Sequence, residues 1–539
     1  MNKALWAVCV GIIGLSVAGC GRNDLPALRA KAEQGDPASQ CLLSVRYDAG
    51  QGVAQDSAEA ARWIRLAAEQ GVAEAQNKLG FFYYAGRGVA QDYTAAAKWS
   101  RLAAEQGNAE AQNRLAVCSY FGQGVRRDYT EAARRFRLAA EQGHAEAQGN
   151  LGTCYDSGHG VRRDYAEALK WFRLAAEQGA VEAQYNLGLF YYYGKVVAQD
   201  YVEAAKWFRL AAEQDSAKAQ NRLGLCYYSG TGAAQDFTEA VKWFRRAAEK
   251  GYAGAQGNLG MCYDAGQGLA QNGKEALKWF LLAAEQGDAE AQNKLGLCYY
   301  YGKVIAQNYA ESAKWLRLAA EQGHADAQNS LGNFYYSGQG VAQNHEEAVK
   351  WYRLAAEKGH VAAQENLTAC YESGKGAAQD YAEAAKWLRL TAERGNVAAQ
   401  NKLGLYYYSG KGVAQDYTEA VKWFRLAAEK GNAPAQDNLG VCYDSGNGVE
   451  LNSREAARWF RRSADQGNAE AQYHLGLCYF KGVGVPLDDA QAYAWFNISA
   501  AQGNKNAAEA RAILMGKLTP EQITEGQRLA RAYAEKVVK

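Results

Sequence analysis

The sequence predicts an all-α solenoid of about thirteen antiparallel helix pairs. Two residue lattices and a composition bias carry that prediction. Glutamine recurs every 36 residues from Gln40 through Gln76 and Gln112 to Gln472, always after alanine except at Gln40, which follows Ser39. Tryptophan occupies a second 36-residue grid from Trp63 to Trp495, missed once, at Arg135. The chain holds 57 Gly and 35 Tyr but only 5 Pro, a balance unlike that of disordered linkers. A fixed period of this length marks repeat units that cannot bury their apolar faces alone and must stack to do so. The 539 residues are therefore one array and not three or four globular domains.

Residues 288–323 show how one unit is built. Asp288 is placed to cap a first helix, with Glu290 in the first turn near the positive end of the helix dipole. Ala291, Leu295 and Tyr299 lie four apart and form one apolar stripe. Gly296 costs roughly 1 kcal/mol of helix propensity against Ala, which is tolerated where a neighbouring helix needs the space. A Gly-X-Gly-Val loop, as at Gly338–Val341, breaks the helix. The second helix opens with Asp-x-x-Glu, as at Asp200 and Glu203 or Asp128 and Glu131, which reads as a capping box. Its predicted buried face is Ala204, Trp207, Phe208 and Ala211, and a glycine such as Gly179 supplies the left-handed end.

The pattern Ala-x-x-x-Leu-Gly-x-x-Tyr, then Gly-x-Gly-Val, Asp, Glu-Ala, Trp and Ala-Ala resembles the Sel-one-like (Sel1-like) repeat, a relative of the tetratricopeptide repeat with a longer inter-helix loop. The resemblance covers residues 29–503 and implies a right-handed superhelix whose first helices line a concave surface. Residues 504–539, with Leu518-Thr519-Pro520-Glu521-Gln522, resemble the capping helices that close such arrays. Three places depart from the pattern: Gly194-Lys195-Val196 and Gly302-Lys303-Val304 lack the second loop glycine, and Arg135 replaces an indole.

The N-terminus has a different character. Lys3 precedes an apolar run from Ala4 to Ala18, too short for a spanning helix and in keeping with a secretory signal. Val17-Ala18-Gly19-Cys20 resembles a bacterial lipobox, which implies a signal peptide over 1–19, lipidation of Cys20 and a short tether over 20–28. Gly21, where an inner-membrane retention signal would have aspartate, points to the outer membrane facing the periplasm. The competing readings are an ordinary signal peptide and a buried N-terminal helix.

Candidate chemistry is sparse. Eight of the eleven cysteines share one slot of the lattice, from Cys118 to Cys478. Equivalent positions in stacked repeats lie about 10 Å apart, beyond the roughly 7 Å between Cα atoms that a disulfide bridges, so these thiols read as small buried hydrophobes. Cys41 stands in another slot and is expected to be exposed. His144, His324 and His360 each follow the inter-repeat glycine and read as caps. His345-Glu346 begins a zinc-protease motif, but Val349 stands where its second histidine would be. Gly188 to Lys195 and Gly404 to Lys411 are one residue too long for a phosphate loop, and neither lysine precedes Ser or Thr. No Ser-x-x-Lys occurs. The expectation is a non-enzyme with no metal and no cofactor. A formal net charge of +2 gives no reason to invoke nucleic acid.

A binding face is expected on the first helices. Asn77, Asn113, Asn221, Asn293, Asn329 and Asn401 share a slot two residues before the repeat leucine. Seven residues on, nearly two turns along the same face, stand Tyr84, Tyr120, Tyr228, Tyr300, Tyr336 and Tyr408. Amide donors and acceptors beside aromatic rings suit peptide backbones or sugar hydroxyls; equally, recent duplication copies any tolerated surface residue. Asp156, Asp264 and Glu372 replace the tyrosine at 108-residue intervals, as Asp48 does one step earlier, and could select a cationic ligand. Arg126, Arg127, Arg162 and Arg163 replace Ala-Gln in two adjacent loops and form a candidate basic patch. These observations lead to an expected monomeric scaffold for peptides or protein partners on the bacterial envelope, or alternatively a peptidoglycan-binding or other glycan-binding protein.

Overall fold

The computed structural model describes residues 25–538; residues 1–24, which carry the signal-peptide and Cys20 readings, lie outside it. Every regular element among the described residues is an α-helix, and there are 29 of them. Helix Leu25–Glu33 comes first and already occupies part of the segment read as a tether. Thirteen pairs follow, from Pro37–Ala49 with Ser57–Glu69 to Ala469–Lys481 with Asp489–Ala501, and then Lys505–Met515 and Pro520–Val538. No described helix is long and apolar enough to cross a membrane.

The array divides into two compact units at Ala276/Leu277. The first holds the six pairs from Pro37 to Glu249 and the helix Ala253–Ala265; the second holds the six pairs from Ala289 to Ala501 and the two closing helices. Within each unit a helix packs against its partner and against the next repeat. The buried face is short: Ala168, Phe172, Ala175 and Ala176 from one second helix meet Leu187 and Phe190 of the following first helix, while Trp171 packs back on Phe136, Leu151 and Cys154. The helical glycine of the pattern has a direct cause. A Cβ on Gly152 would lie 2.7 Å from the Phe172 ring, and one on Gly224 would lie 2.6 Å from Phe244. The second loop glycine, Gly160, combines φ +74° with a carbonyl, Tyr129 O, at 1.9 Å from where its Cβ would be. Val196 takes that place in the fifth repeat at φ +54°, a conformation costly for a β-branched side chain.

The glutamine lattice is a set of clasps. Gln148 is buried and donates through Nε2 to Ala140 O at the end of the preceding second helix, 3.2 Å away. Its Oε1 accepts from Gln178 Nε2 at 2.7 Å, at the end of the second helix of its own repeat. One side-chain amide thus joins three helices, and the same arrangement recurs at Gln40, Gln76, Gln112, Gln184, Gln292, Gln436 and Gln472. An outer tie runs from second helix to next first helix, with Arg173, Arg245 and Arg425 donating to the hydroxyls of Tyr191, Tyr263 and Tyr443 at 2.8–3.0 Å.

The caps differ in one respect from the sequence reading. Asp200 Oδ1 accepts from Glu203 N at 2.9 Å, as a cap should. The Asp200 N–H, however, already donates to Tyr191 O of the preceding helix. A capping box needs that N–H for the glutamate, so Glu203 turns outward and pairs with Lys206 at 2.9 Å. Asp288 caps its helix as expected, accepting from Ala291 N. At the missing tryptophan, Arg135 pairs with Glu131, one turn back, as Trp171 Nε1 does with Glu167. At the C-terminal end Tyr533 stacks on Trp495, with centroids 4.4 Å apart and planes at 10°.

The clasp is broken where the closing glutamine is replaced. Lys250, Lys358 and Lys430 stand in its place and reach the backbone carbonyls of Asp215, Gly323 and Gly395 instead. The matching acceptors, Gln220 Oε1, Gln328 Oε1 and Gln400 Oε1, are buried without a hydrogen bond. Arg394 makes the same change, but there Thr391 Oγ1 donates to Gln364 Oε1 at 3.0 Å. A buried acceptor without a partner costs about 1–3 kcal/mol. Lys358→Gln and Lys430→Gln should therefore each stabilise the second unit by about 1 kcal/mol, read as slower amide hydrogen exchange in the flanking helices; unchanged protection would contradict the clasp.

Candidate binding surface of the first helices

The asparagine slot faces the next repeat. Asn113, Asn221, Asn329 and Asn401 accept through Oδ1 from Asn150, Asn258, Asn366 and Asn438, each 37 residues on, at 2.8–3.0 Å. Asn77 Oδ1 accepts from Arg114, and its amide donates to Glu110 at 2.9 Å. Asn293 is 2% exposed with an unpartnered Oδ1, because Ser330 occupies the donor position 37 residues on and is too short to reach it. These amides lie at the joints between repeats.

The tyrosines are half-buried, and several bond 39 residues ahead, to the residue between the two loop glycines of the next repeat. Tyr84 and Tyr228 donate to Gln123 and Gln267, at 3.2 and 2.5 Å; Tyr120 bonds His159 Nδ1 at 2.7 Å, and Tyr408 accepts from Asn447 at 3.2 Å. Tyr300 packs its ring on Tyr301 and Tyr309, while Tyr336 packs against His345 with Lys375 above it. Two acidic replacements use the same reach. Asp156 pairs with Lys195 at 3.1 Å and Asp48 with Arg87 at 2.9 Å. Glu372 instead pairs with Lys402 at 2.8 Å and accepts from Tyr406, whose pKa is raised by burial and by this carboxylate. Asp264 is exposed. The signal for these pairs was present in the sequence as a matched change at 39-residue separation: a basic loop residue where the slot is acidic at Asp48 and Asp156, and glutamine, histidine or asparagine opposite Tyr84, Tyr120, Tyr228 and Tyr408.

A different row is partly exposed to solvent and partly packed on the core. In the first unit Phe81, at 38% exposure, begins a row continued by half-exposed Val117, Leu189, Leu225 and Met261, one per first helix, with Thr153 in the same slot. Leu297, Asn333, Ala369, Leu405 (41% exposed), Val441 and Leu477 hold that slot in the second unit. Phe121 and Tyr193, at 64% and 54%, stand at the ends of first helices, one turn further along. Carboxylates such as Glu110, Glu146 and Glu182 border the row at the helix starts. Sequence reasoning passed over these residues because their slot varies from repeat to repeat, while the conspicuous invariant slots serve packing.

The remaining candidates are placed as follows. The buried thiols of Cys118, Cys226, Cys262, Cys370, Cys442 and Cys478 are pushed up to about 11 by burial, and that of Cys154 to about 12, which keeps them protonated and unreactive. Cys41, expected to be exposed, is half-buried against the first-unit core. His144, His324 and His360 are caps, their Nδ1 atoms accepting from Ala147, Ala327 and Ala363 N. The four loop arginines are exposed; Arg127 lies over the Tyr129 ring and Arg163 donates to Ser157 O, while Arg126 and Arg162 point no bond at the protein. Among the described residues no cluster of metal-ligating side chains occurs.

These features define a helix-pair repeat protein whose invariant residues serve stacking and whose variable residues face outward. The Sel1 repeat family model matches thirteen successive segments, from 37–72 to 469–504, and the chain belongs to that family. Among solved structures it is similar to a protective antigen of uropathogenic Escherichia coli displaying an SLR fold, with 36% identity, a TM-score of 0.56, and coverage of 88% of this chain and 95% of that one. It is also similar to a Sel1 repeat protein from Oxalobacter formigenes, with 34% identity, a TM-score of 0.41, and coverage of 57% and 89%. No curated protein matches the sequence. Sel1 repeat proteins generally mediate protein–protein interactions and are generally not enzymes.

One joint carries a titratable donor. His474 stands in the donor slot filled elsewhere by asparagine and bonds Asp437 at 2.8 Å. Burial of the ring opposes its charged form, but the hydrogen bond and charge of Asp437 outweigh that, so its pKa is raised. The resulting stabilisation is complete below the unfolded value, about 6.5, and is lost as pH rises through the higher folded value. His474→Asn keeps a donor that does not titrate, as at Asn438. As pH rises from below about 6.5 through the raised folded value, the wild type should lose stability relative to this variant in chemical denaturation; parallel pH profiles would contradict the pairing.

Proposed function

We propose that this chain is a non-enzymatic scaffold of the bacterial envelope, anchored by a lipid on Cys20 at the outer membrane, which holds peptides or partner proteins along the partly exposed row of its first helices. The observation that carries this reading is the half-exposed apolar row Phe81, Val117, Leu189 and Leu225, repeated at a fixed spacing and bordered by carboxylates. An extended chain laid across stacked repeats meets an apolar side chain at most steps, and the rim selects for complementary charge. The glycan alternative draws on the Asn and Tyr lining, most of whose polar atoms are engaged between repeats, so the peptide reading is favoured.

A photo-crosslinking residue introduced at Leu225 or Leu405 should yield protein adducts in cells, whereas one at Lys242, on the outer side of a second helix, should not. Adducts formed equally from all three positions, or recovery of only sacculus fragments, would count against the reading. The anchor is tested separately. Radiolabelled palmitate should enter the wild type and not Cys20→Ala, and an unlabelled wild type would remove the lipid from the proposal.

A further inference from the structure

Second helices leave a shallow cavity where the next repeat's loop approaches, and two successive repeats provide a comparison within one chain. Beside the helix Tyr417–Glu429 the cavity is about 480 Å³ and is lined by Thr418, Lys422, Arg425, Leu426 and Glu429. Beside the helix Ser453–Ala464 it is about 520 Å³ and is lined by Arg454, Arg458, Arg461 and Arg462, which stand 36 positions on from Thr418, Lys422, Arg425 and Leu426, while the counterpart of Glu429 is Asp465, the C-cap of the helix. Leu475 and Tyr479 form its wall, and Gly484 and Val485 of the next loop form its edge. Two cations and a carboxylate in one repeat become four cations in the next, with no carboxylate lining the cavity among the described residues.

Three of the four guanidiniums are held by neighbouring side chains. Arg461 donates to Tyr479 OH at 2.5 Å and lies over Trp495, 5.2 Å from the ring centroid, with Tyr533 of the closing helix stacked behind. Arg458 is held by Glu455, and Arg462 lies 4.5 Å over Trp459. Arg454, in the first turn of its helix, opposes the helix dipole, an arrangement that costs a fold stability. Four guanidiniums converge on one cavity, Arg454 against the local preference of the helix, and give the cavity an excess of positive charge that an anion would complement.

We propose that this groove binds a compact phosphate-bearing anion carrying at least two negative charges. Guanidinium forks match phosphate oxygens in pairs. A cavity of about 520 Å³ admits a diphosphate-sized group, which supplies the several charges that one carboxylate does not. The same chemistry reaches the site from solution or from the headgroups of an anionic membrane.

Calorimetric titration of the full chain with pyrophosphate at low salt should show one site, weakening as salt is raised. Arg454→Thr with Arg462→Leu restores the side chains of the preceding repeat, so the fold is retained, and should weaken binding at least tenfold. The reverse change, Thr418→Arg with Leu426→Arg, should add a second site. Flotation with phosphatidylglycerol vesicles separates the sources. Flotation that pyrophosphate competes away assigns the site to lipid headgroups, and pyrophosphate binding without flotation assigns it to a soluble phosphate. Absence of both, binding unchanged in the Arg454→Thr, Arg462→Leu variant, or binding only to acidic peptides would overturn the proposal.

Discussion

The structure depends on one hydrogen-bonding arrangement, the side-chain amide of the lattice glutamine shared among three helices. A helix pair of this size buries alanines and a few aromatics and leaves both outer faces unsatisfied. Stacking is what buries them, and stacking brings the polar ends of second helices together, where unpaired carbonyls would be costly. Gln148 meets that need in both directions, donating to Ala140 O and accepting from Gln178. Each such bond contributes only about 1 kcal/mol net. Repeated along most of the array, however, it helps fix the register of one repeat against the next, together with the aromatic contacts and loop glycines.

This constraint explains where variation is tolerated. Slots that face a neighbouring repeat change in matched pairs, as when Asp156 meets Lys195 where Tyr84 meets Gln123. Slots that are partly exposed change without a matched partner, and Phe81, Val117, Thr153 and Leu189 differ in size and in polarity from one repeat to the next. The outward residues are thus free to differ from repeat to repeat, and the invariant lattice keeps them in line.

Much of the fold was legible in the sequence because period and packing coincide. The 36-residue grids of glutamine and tryptophan located all thirteen pairs, the cysteine slot read correctly as core, and the histidines after the inter-repeat glycines read correctly as caps. The binding surface was less legible. Asn113 and Tyr228 lie on the first helices as read, but whether such a side chain points outward or into the joint depends on the angle at which the next repeat arrives, and helical spacing does not encode that angle. The Asp200–Glu203 pair was misread as a full capping box for a similar reason, since the competing acceptor, Tyr191 O, belongs to another helix. The arginines of Ser453–Ala464 were hidden by position: only superposing that repeat on the one before it separates Arg454 and Arg462 from ordinary surface charge.

The unclosed clasps at Gln220, Gln328 and Gln400 also bear on how the molecule yields under load. A stack whose repeats touch only their neighbours parts at its weakest joint, and these three joints each lack a bond that most of the others possess. Pulled from its ends, the chain would not unravel evenly. It would open first at these seams and release blocks of intact repeats, so the spacing of three lysines sets the length of the pieces and the extension gained at each step.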